Sequence, residues 1–223
     1  LSIMPIMAKE ILDKMWIWGH KVNAHRQGWG INMDSKATPA DGAKYLGVPN
    51  ILMVLPPSEE EARGVSHLKR IVWSVEFDES WNFQRDLSGV RDLAARHPKI
   101  EGVIVDDLTS MCIRRRGMRP ETLAQLHATT QSGPKPLDLW GVFYTMDFDL
   151  NLADYIPHLD VLTLWTWRAE DLKDLEKNFV TFKKMAHRKP IVLGLYMYDY
   201  GTRHQMPTNL MEKQCRLALE LLK

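Results

Sequence analysis

The chain has 223 residues, 45% of them hydrophobic and 26% charged, with 29 Lys and Arg set against 28 Asp and Glu. That length can bury one substantial core, so a single domain over 1–223 is expected, and charges that nearly cancel leave no global field to draw nucleic acid, which is not expected as a partner. The two cysteines, Cys112 and Cys215, lie too far apart in sequence for a Cys-x-x-Cys metal site and are too few for a disulfide framework, and no apolar run approaches the roughly 20 residues that cross a bilayer.

The first residues lack the basic start and small-residue cleavage site of a signal peptide. The chain begins without Met, which is compatible with removal of an upstream piece, and a secreted or periplasmic location is the expectation. A helix over Ala8–Lys14 leads into a first strand, Met15–His20, rich in aromatics and followed by the polar residues Asn23 and His25. A short helix over Asp41–Leu46 precedes a second apolar run, Val48–Leu55, which Pro56 and Pro57 stop. Ser58 then caps a turn whose Glu59, Glu60 and Glu61 suit the positive end of a helix and read as solvated. The third strand, Arg70–Phe77, delivers Glu76 and then Asp78, and an amphipathic helix over Asp86–Arg96 ends at His97-Pro98.

Gly102–Val105 is short, wholly apolar and rich in β-branched residues, as a strand buried on both faces must be, and it stops at two adjacent carboxylates, Asp106 and Asp107. The cluster Arg114, Arg115, Arg116 and Arg119 that follows reads as a solvated loop. Pro120 suits the first turn of a helix running to Thr130. The fifth strand, Leu137–Thr145, ends near Asp147 and Asp149, for which helix capping is the expected role. A short helical segment over 153–158, a sixth strand over Asp160–Trp167, a long amphipathic helix over Ala169–His187, a seventh strand over Pro190–Tyr198 and a helix over Thr208–Leu222 complete the chain.

Apolar runs that alternate with helical segments predict a parallel α/β fold with right-handed crossovers. A (β/α)8 TIM barrel is expected, with seven strands identifiable and the eighth absent or beyond Lys223. An open doubly wound sheet is the alternative, weakened because no Gly-x-Gly-x-x-Gly follows the first strand. In either architecture the carboxyl ends of the strands open on one face. That rim collects Trp18 and His20, Glu76, Asp106 and Asp107, Tyr144, Trp165 and Trp167, then Tyr196, Tyr198 and Asp199. Side-chain alternation turns Glu76 and Asp106 inward and leans Asp107 toward the rim.

Sugar rings present apolar faces edged by hydroxyls, so aromatic platforms beside carboxylates suit them. Cleaving a glycosidic bond takes two carboxyl groups about 5–10 Å apart, and a close neighbour raises the proton affinity of one of them. The catalytic candidates are therefore Asp106, Asp107 and Glu76, and the substrate-binding candidates are Trp18, His20, Tyr144, Trp165, Trp167, Tyr198 and Asp199, with a carbohydrate as partner and no cofactor or metal. A carbohydrate-binding barrel that keeps the aromatic wall and lacks a competent acid pair is the alternative, and any single tryptophan taken alone reads as core before it reads as a sugar platform. A metal-dependent barrel hydrolase using His20, His25, Glu76 and Asp106 or Asp107 ranks third, because His20 and His25 are five apart rather than forming a His-x-His pair.

In Trp16-Ile-Trp-Gly-His20, Glu101-Gly-Val-Ile-Val-Asp-Asp107 and Leu195-Tyr-Met-Tyr-Asp-Tyr200 the sequence resembles glycoside-hydrolase-type TIM barrels, closest to uncharacterised bacterial glycosidases. The resemblance implies a hydrolase acting on glycosides. The fourth-strand motif is also similar to the Asp-Gly-x-Asp-x-Asp-x-Glu run of chitinase-like barrels, with Glu101 on its first acid and Asp106 on a later one. Ile104 and Leu108 stand where that run has an Asp and its proton-donating Glu, so the acid would have to come from Asp107 or Glu76.

Overall fold

A computed structural model describes residues 3–24, 34–76 and 83–221; His25, Phe77 and Asp78 lie outside them. Seven strands form one sheet in chain order: β1 Trp16–His20, β2 Asn50–Val54, β3 Arg70–Val75, β4 Ile100–Val105, β5 Asp138–Tyr144, β6 Val161–Trp165 and β7 Ile191–Leu193. Between and around them run α1 Ile3–Lys14, α2 Pro39–Leu46, α3 Glu59–Gly64, α4 Gln84–Arg96, α5 Pro120–Gln131, α6 Leu175–Met185 and α7 Thr208–Leu221. The expected parallel α/β fold is the one observed. Contacts divide the chain into two compact units, one of residues 1–104 with 130–137 and one of residues 105–129 with 138–223.

In the first unit, β1, β2 and β3 pair in parallel, Ile17 opposite Ile51 and Ile51 opposite Ile71. Ile51, Met53, Ile71, Val72 and Trp73 are fully shut away from water, which their apolar, β-branched composition favours in a strand covered on both faces. Burial of Trp73 leaves no orphan donor, because its indole N–H reaches the Leu55 carbonyl at 2.7 Å. Asn50 is the polar exception at the start of β2. Its amide donates to the carbonyls of Asp13 and Met15 at 2.9 and 2.8 Å and so fastens the turn between α1 and β1. A capping box of Thr38 and Asp41 starts α2, and Gly47 in the left-handed region ends it.

In the second unit, β5 pairs with β6, Gly141 opposite Leu162 and Tyr144 opposite Trp165, and β6 pairs with β7. Gly141 is required by close approach: a Cβ there would come within 2.8 Å of Leu108 and 2.9 Å of Leu159. Three sequence expectations change here. Of the basic cluster, all of it exposed, Arg114 and Arg115 end a π-helix, Leu108–Arg115, which Arg116 caps, and Arg119 lies beyond it. The long helix predicted from Ala169 begins as a 3-10 helix, Ala169–Asp174, before α6. The seventh strand ends at Leu193; the next residue, Gly194, still donates its N–H to the Leu164 carbonyl of β6 at 2.8 Å and lies against the Trp165 ring, where a Cβ would meet ring carbons at 2.1 Å. Tyr198–Asp199 instead forms β8, antiparallel to β9, His204–Gln205.

Candidate active site

Every residue of β4 except Glu101 is buried, and Asp106 and Asp107, directly after it, are half-buried. Side-chain alternation ends with the strand. Asp107 turns into the left-handed region, with φ 50° and ψ 33°, a conformation costing about 1–3 kcal/mol for a residue with a side chain, although Asp bears it better than most. It caps the π-helix, and its carbonyl accepts the N–H groups of Met111 and Cys112 at 2.9 and 3.2 Å. The rim position expected for Asp107 thus becomes a specific contact: the Tyr144 hydroxyl donates to its Oδ1 at 2.5 Å. The Asp107 N–H donates in turn to the Asp106 carboxylate at 2.8 Å.

Around this pair stands an aromatic cluster. Trp167 meets Tyr144 edge to face at 5.4 Å, stacks on Tyr200 at 4.6 Å and lies edge to face with Tyr196 at 6.3 Å. Trp165 lies against Tyr196 at 4.8 Å and donates its indole N–H to Thr163 at 2.8 Å, while Tyr198 meets Tyr200 at 5.2 Å. Burial, then the neighbouring Tyr196 and the charges of Asp107 and Asp106, hold the Tyr144 phenol well above its ordinary pKa. Burial, with Tyr200 and the same two aspartates, does likewise for Tyr196. Burial and Asp106 also raise Tyr200. Three phenols therefore stay protonated facing two acids, and a phenol so placed is a permanent donor to a carboxylate.

The backbone of Tyr196 is clamped by one side chain of α7. Gln214 is 1% exposed; its Oε1 accepts the Tyr196 N–H at 3.2 Å and its Nε2 donates to the Tyr196 carbonyl at 3.3 Å. The sequence places Tyr196 on the rim without a role and names Tyr200 only as the last residue of the Leu195–Tyr200 motif. Reading them as part of the wall requires knowing that β7 ends at Leu193 and that Tyr198–Asp199 pairs elsewhere.

Arg114 is exposed, but it lies in the π-helix rather than a loop and has specific partners. Its Nε donates to Asp147 at 2.7 Å and its Nη atoms pair with Asp149. Asp147 and Asp149 are accordingly its partners rather than caps of the following helix, and hydrogen bonding to Arg114 holds Asp149 below the usual carboxylate range. Asp199 is 5% exposed and ties its own loop to the start of the 3-10 helix after β6, accepting the N–H groups of Gly201 and Ala169 at 3.0 Å each and the Thr202 hydroxyl at 2.7 Å.

The remaining candidates belong to the first unit. The Trp18 indole N–H donates to His20 Nε2 at 2.8 Å. An indole nitrogen can only donate, so His20 Nε2 carries the lone pair and the ring proton sits on Nδ1. Glu76 is exposed just past the end of β3, and its N–H reaches Asp86 at 3.4 Å. Among the described residues no three His, Cys, Asp or Glu side chains gather as metal ligands; His25, which the metal reading used, lies outside them.

No family model and no curated protein sequence matches the chain. Among solved structures it is similar to an active-site mutant of Rhizomucor miehei β-1,3-glucanosyltransferase in complex with laminaritriose, with a TM-score of 0.58 and 11% identity over 93% of this chain and 82% of that one. At that identity the likeness is one of fold, and it agrees with the TIM-barrel-like α/β class expected from the order of the strands.

Proposed function

We propose that this chain cleaves or transfers a glycosidic bond, with Asp107 as the ionised carboxylate and Asp106 as the second carboxyl group. The observation that carries the reading is the Tyr144–Asp107 hydrogen bond inside the aromatic cluster. A glycosidic transition state is cationic at the sugar ring, so it calls for a carboxylate fixed in direction beside apolar surface that excludes water. A charge-assisted bond from a phenol that does not ionise supplies the first. Trp167 and Tyr200 supply the second, with faces suited to the C–H side of a sugar. The fold neighbour's ligand, laminaritriose, makes β-linked gluco-oligosaccharides the first substrates to try.

The test is turnover of aryl-glycosides and laminari-oligosaccharides by the wild type and by Asp106→Asn, Asp107→Asn and Glu76→Gln. Loss of roughly 10²–10⁴-fold in either aspartate variant, with the fold intact by circular dichroism, is the expected result. The Glu76 variant reports whether a third carboxyl takes part. Sugar binding without turnover in the wild type would replace catalysis with a carbohydrate-binding role.

A further inference from the structure

Asp107 and Tyr144 come from different segments, yet their side chains meet at 2.5 Å. Something must hold the two segments in register. Two residues after Asp107, in the same π-helix, Thr109 is fully buried, and its hydroxyl oxygen accepts the backbone N–H of Tyr144 at 3.2 Å. Three residues after Tyr144, Asp147 is 1% exposed and accepts the Thr109 hydroxyl proton at 2.7 Å. An ionised carboxylate can only accept, so Thr109 must donate to it, and the hydroxyl's lone pairs are left for the Tyr144 N–H. Arg114, from the last turn of the π-helix, pairs with Asp147 at 2.7 Å and sets a guanidinium against that buried carboxylate. The direction of each bond from Arg114 to the Tyr144 N–H is thereby fixed.

We propose that Thr109, oriented by Asp147 and Arg114, is the positioning residue that sets the Tyr144–Asp107 contact. One helix start then holds Tyr144 at both ends, by Asp107 at the phenol and by Thr109 at the backbone. The rarity of π-helices, and their frequent place at functional sites, fits a segment kept in shape by such a ring. The left-handed turn at Asp107 also needs surroundings that over-determine it. The importance of the contact for catalysis rests on the glycosidic reading above; the geometry does not.

The test compares Thr109→Val, which keeps the shape and removes the hydroxyl, with Thr109→Ser, which restores it. The readout independent of activity is the Raman Fermi doublet of tyrosine, which reports donor strength at the phenol. With six tyrosines in the chain, a difference spectrum against Tyr144→Phe isolates the Tyr144 signal. Thr109→Val is expected to lose the strong-donor signature and Thr109→Ser to keep it. Where the wild type turns over a glycoside, kcat in Thr109→Val should fall roughly 10²-fold with KM within about twofold, since the loss is one of alignment rather than binding. Should Thr109→Val fail to fold, Asp147→Asn, equal in volume, reads the same band with the same expectation. A lower melting temperature with the Tyr144 signature unchanged makes Thr109 purely structural and overturns the proposal. A wild type without turnover overturns the glycosidic reading and leaves the spectroscopic result to decide Thr109.

Discussion

Cys112 lies one helical turn beyond the acid pair, with its Sγ 4.0 Å from the Asp106 carbonyl. Burial pushes its thiol up to about 12, Arg116 opposes that, and the charges of Asp107 and Asp106 add to it. Reactivity toward alkylating agents follows the thiolate, so in the native protein at about pH 8 iodoacetamide should label the half-buried Cys215 and spare Cys112. Mass mapping of the labelled peptides checks this, and equal labelling would mean that the acid-pair segment opens readily. Asp199 titrates in the opposite sense. Burial works against its charge, but hydrogen bonds from Thr202 and from the N–H groups of Ala169 and Gly201 outweigh it and hold the carboxyl below the usual range. The unfolded chain therefore takes up this proton first. The carboxylate's contribution is complete above the unfolded value of about 4 and is lost as pH falls through the lower folded value. Asp199→Asn should be less stable than the parent by about 1–3 kcal/mol at neutral pH. Denaturant titrations at descending pH should show that gap narrowing below about pH 4, and a constant gap would show that the charge does not matter.

The elements repeat a device that the sequence conceals. Lysines just before β3, β4, β5 and β7 each reach back toward the entrance of an earlier element: Lys69 pairs with Asp13, and Lys99 donates to the Ser66 carbonyl at 2.7 Å. Lys135 donates to the carbonyls of Pro98 at 2.8 Å and Ile100 at 2.6 Å, with Ala94 at 3.4 Å, and Lys189 to those of Pro157 and Leu159. These stitches lie at the amino ends of the strands, whereas the acids and phenols lie at or beyond the carboxyl ends. No internal repeat is visible in the sequence because the repeat is one of position, a lysine one to three residues ahead of a strand, with nothing alike around it. The lysines are not equivalent. Burial lowers the Lys135 pKa, and its removal leaves carbonyls without a donor. Lys135→Met should therefore cost about 1–3 kcal/mol, while Lys69→Met, which breaks an exposed pair, should cost under about 1 kcal/mol. Urea unfolding of the two variants checks the ranking, and equal losses would show that the carbonyls find other donors.

At the scale of the whole molecule, the strands were legible wherever burial on both faces wrote a continuous apolar run, and Gly102–Val105 and Asp160–Trp167 are the clearest cases. The acids at the strand ends were legible for the same reason, since each apolar run has a visible stop. What the sequence hid depends on partners distant along the chain. Arg114 looks like one of a run of solvated arginines until the segment after β5 brings Asp147 to it, and Thr109 is an unremarked residue until Tyr144 arrives at the other end of its hydroxyl. The end of β7 was hidden as well, because no Pro or charge follows Leu193 to mark it, and Gly194 fits against the Trp165 ring, a partner distant along the chain. Burial also grades the strands. Those from β2 to β6 are buried over most of their length, while β1 and β7, each with one strand neighbour among the described residues, are half-exposed. Amide exchange follows local opening, which is easiest where a strand has pairing on one side and apolar cover is thin. Hydrogen–deuterium exchange should therefore release the amides of Ile191–Leu193 and Trp16–His20 first and those of Ile71–Val75 and Leu162–Leu164 last. Uniform protection across all seven strands would mean that the outer strands are covered in solution by something other than the residues described, and would turn attention to what covers them.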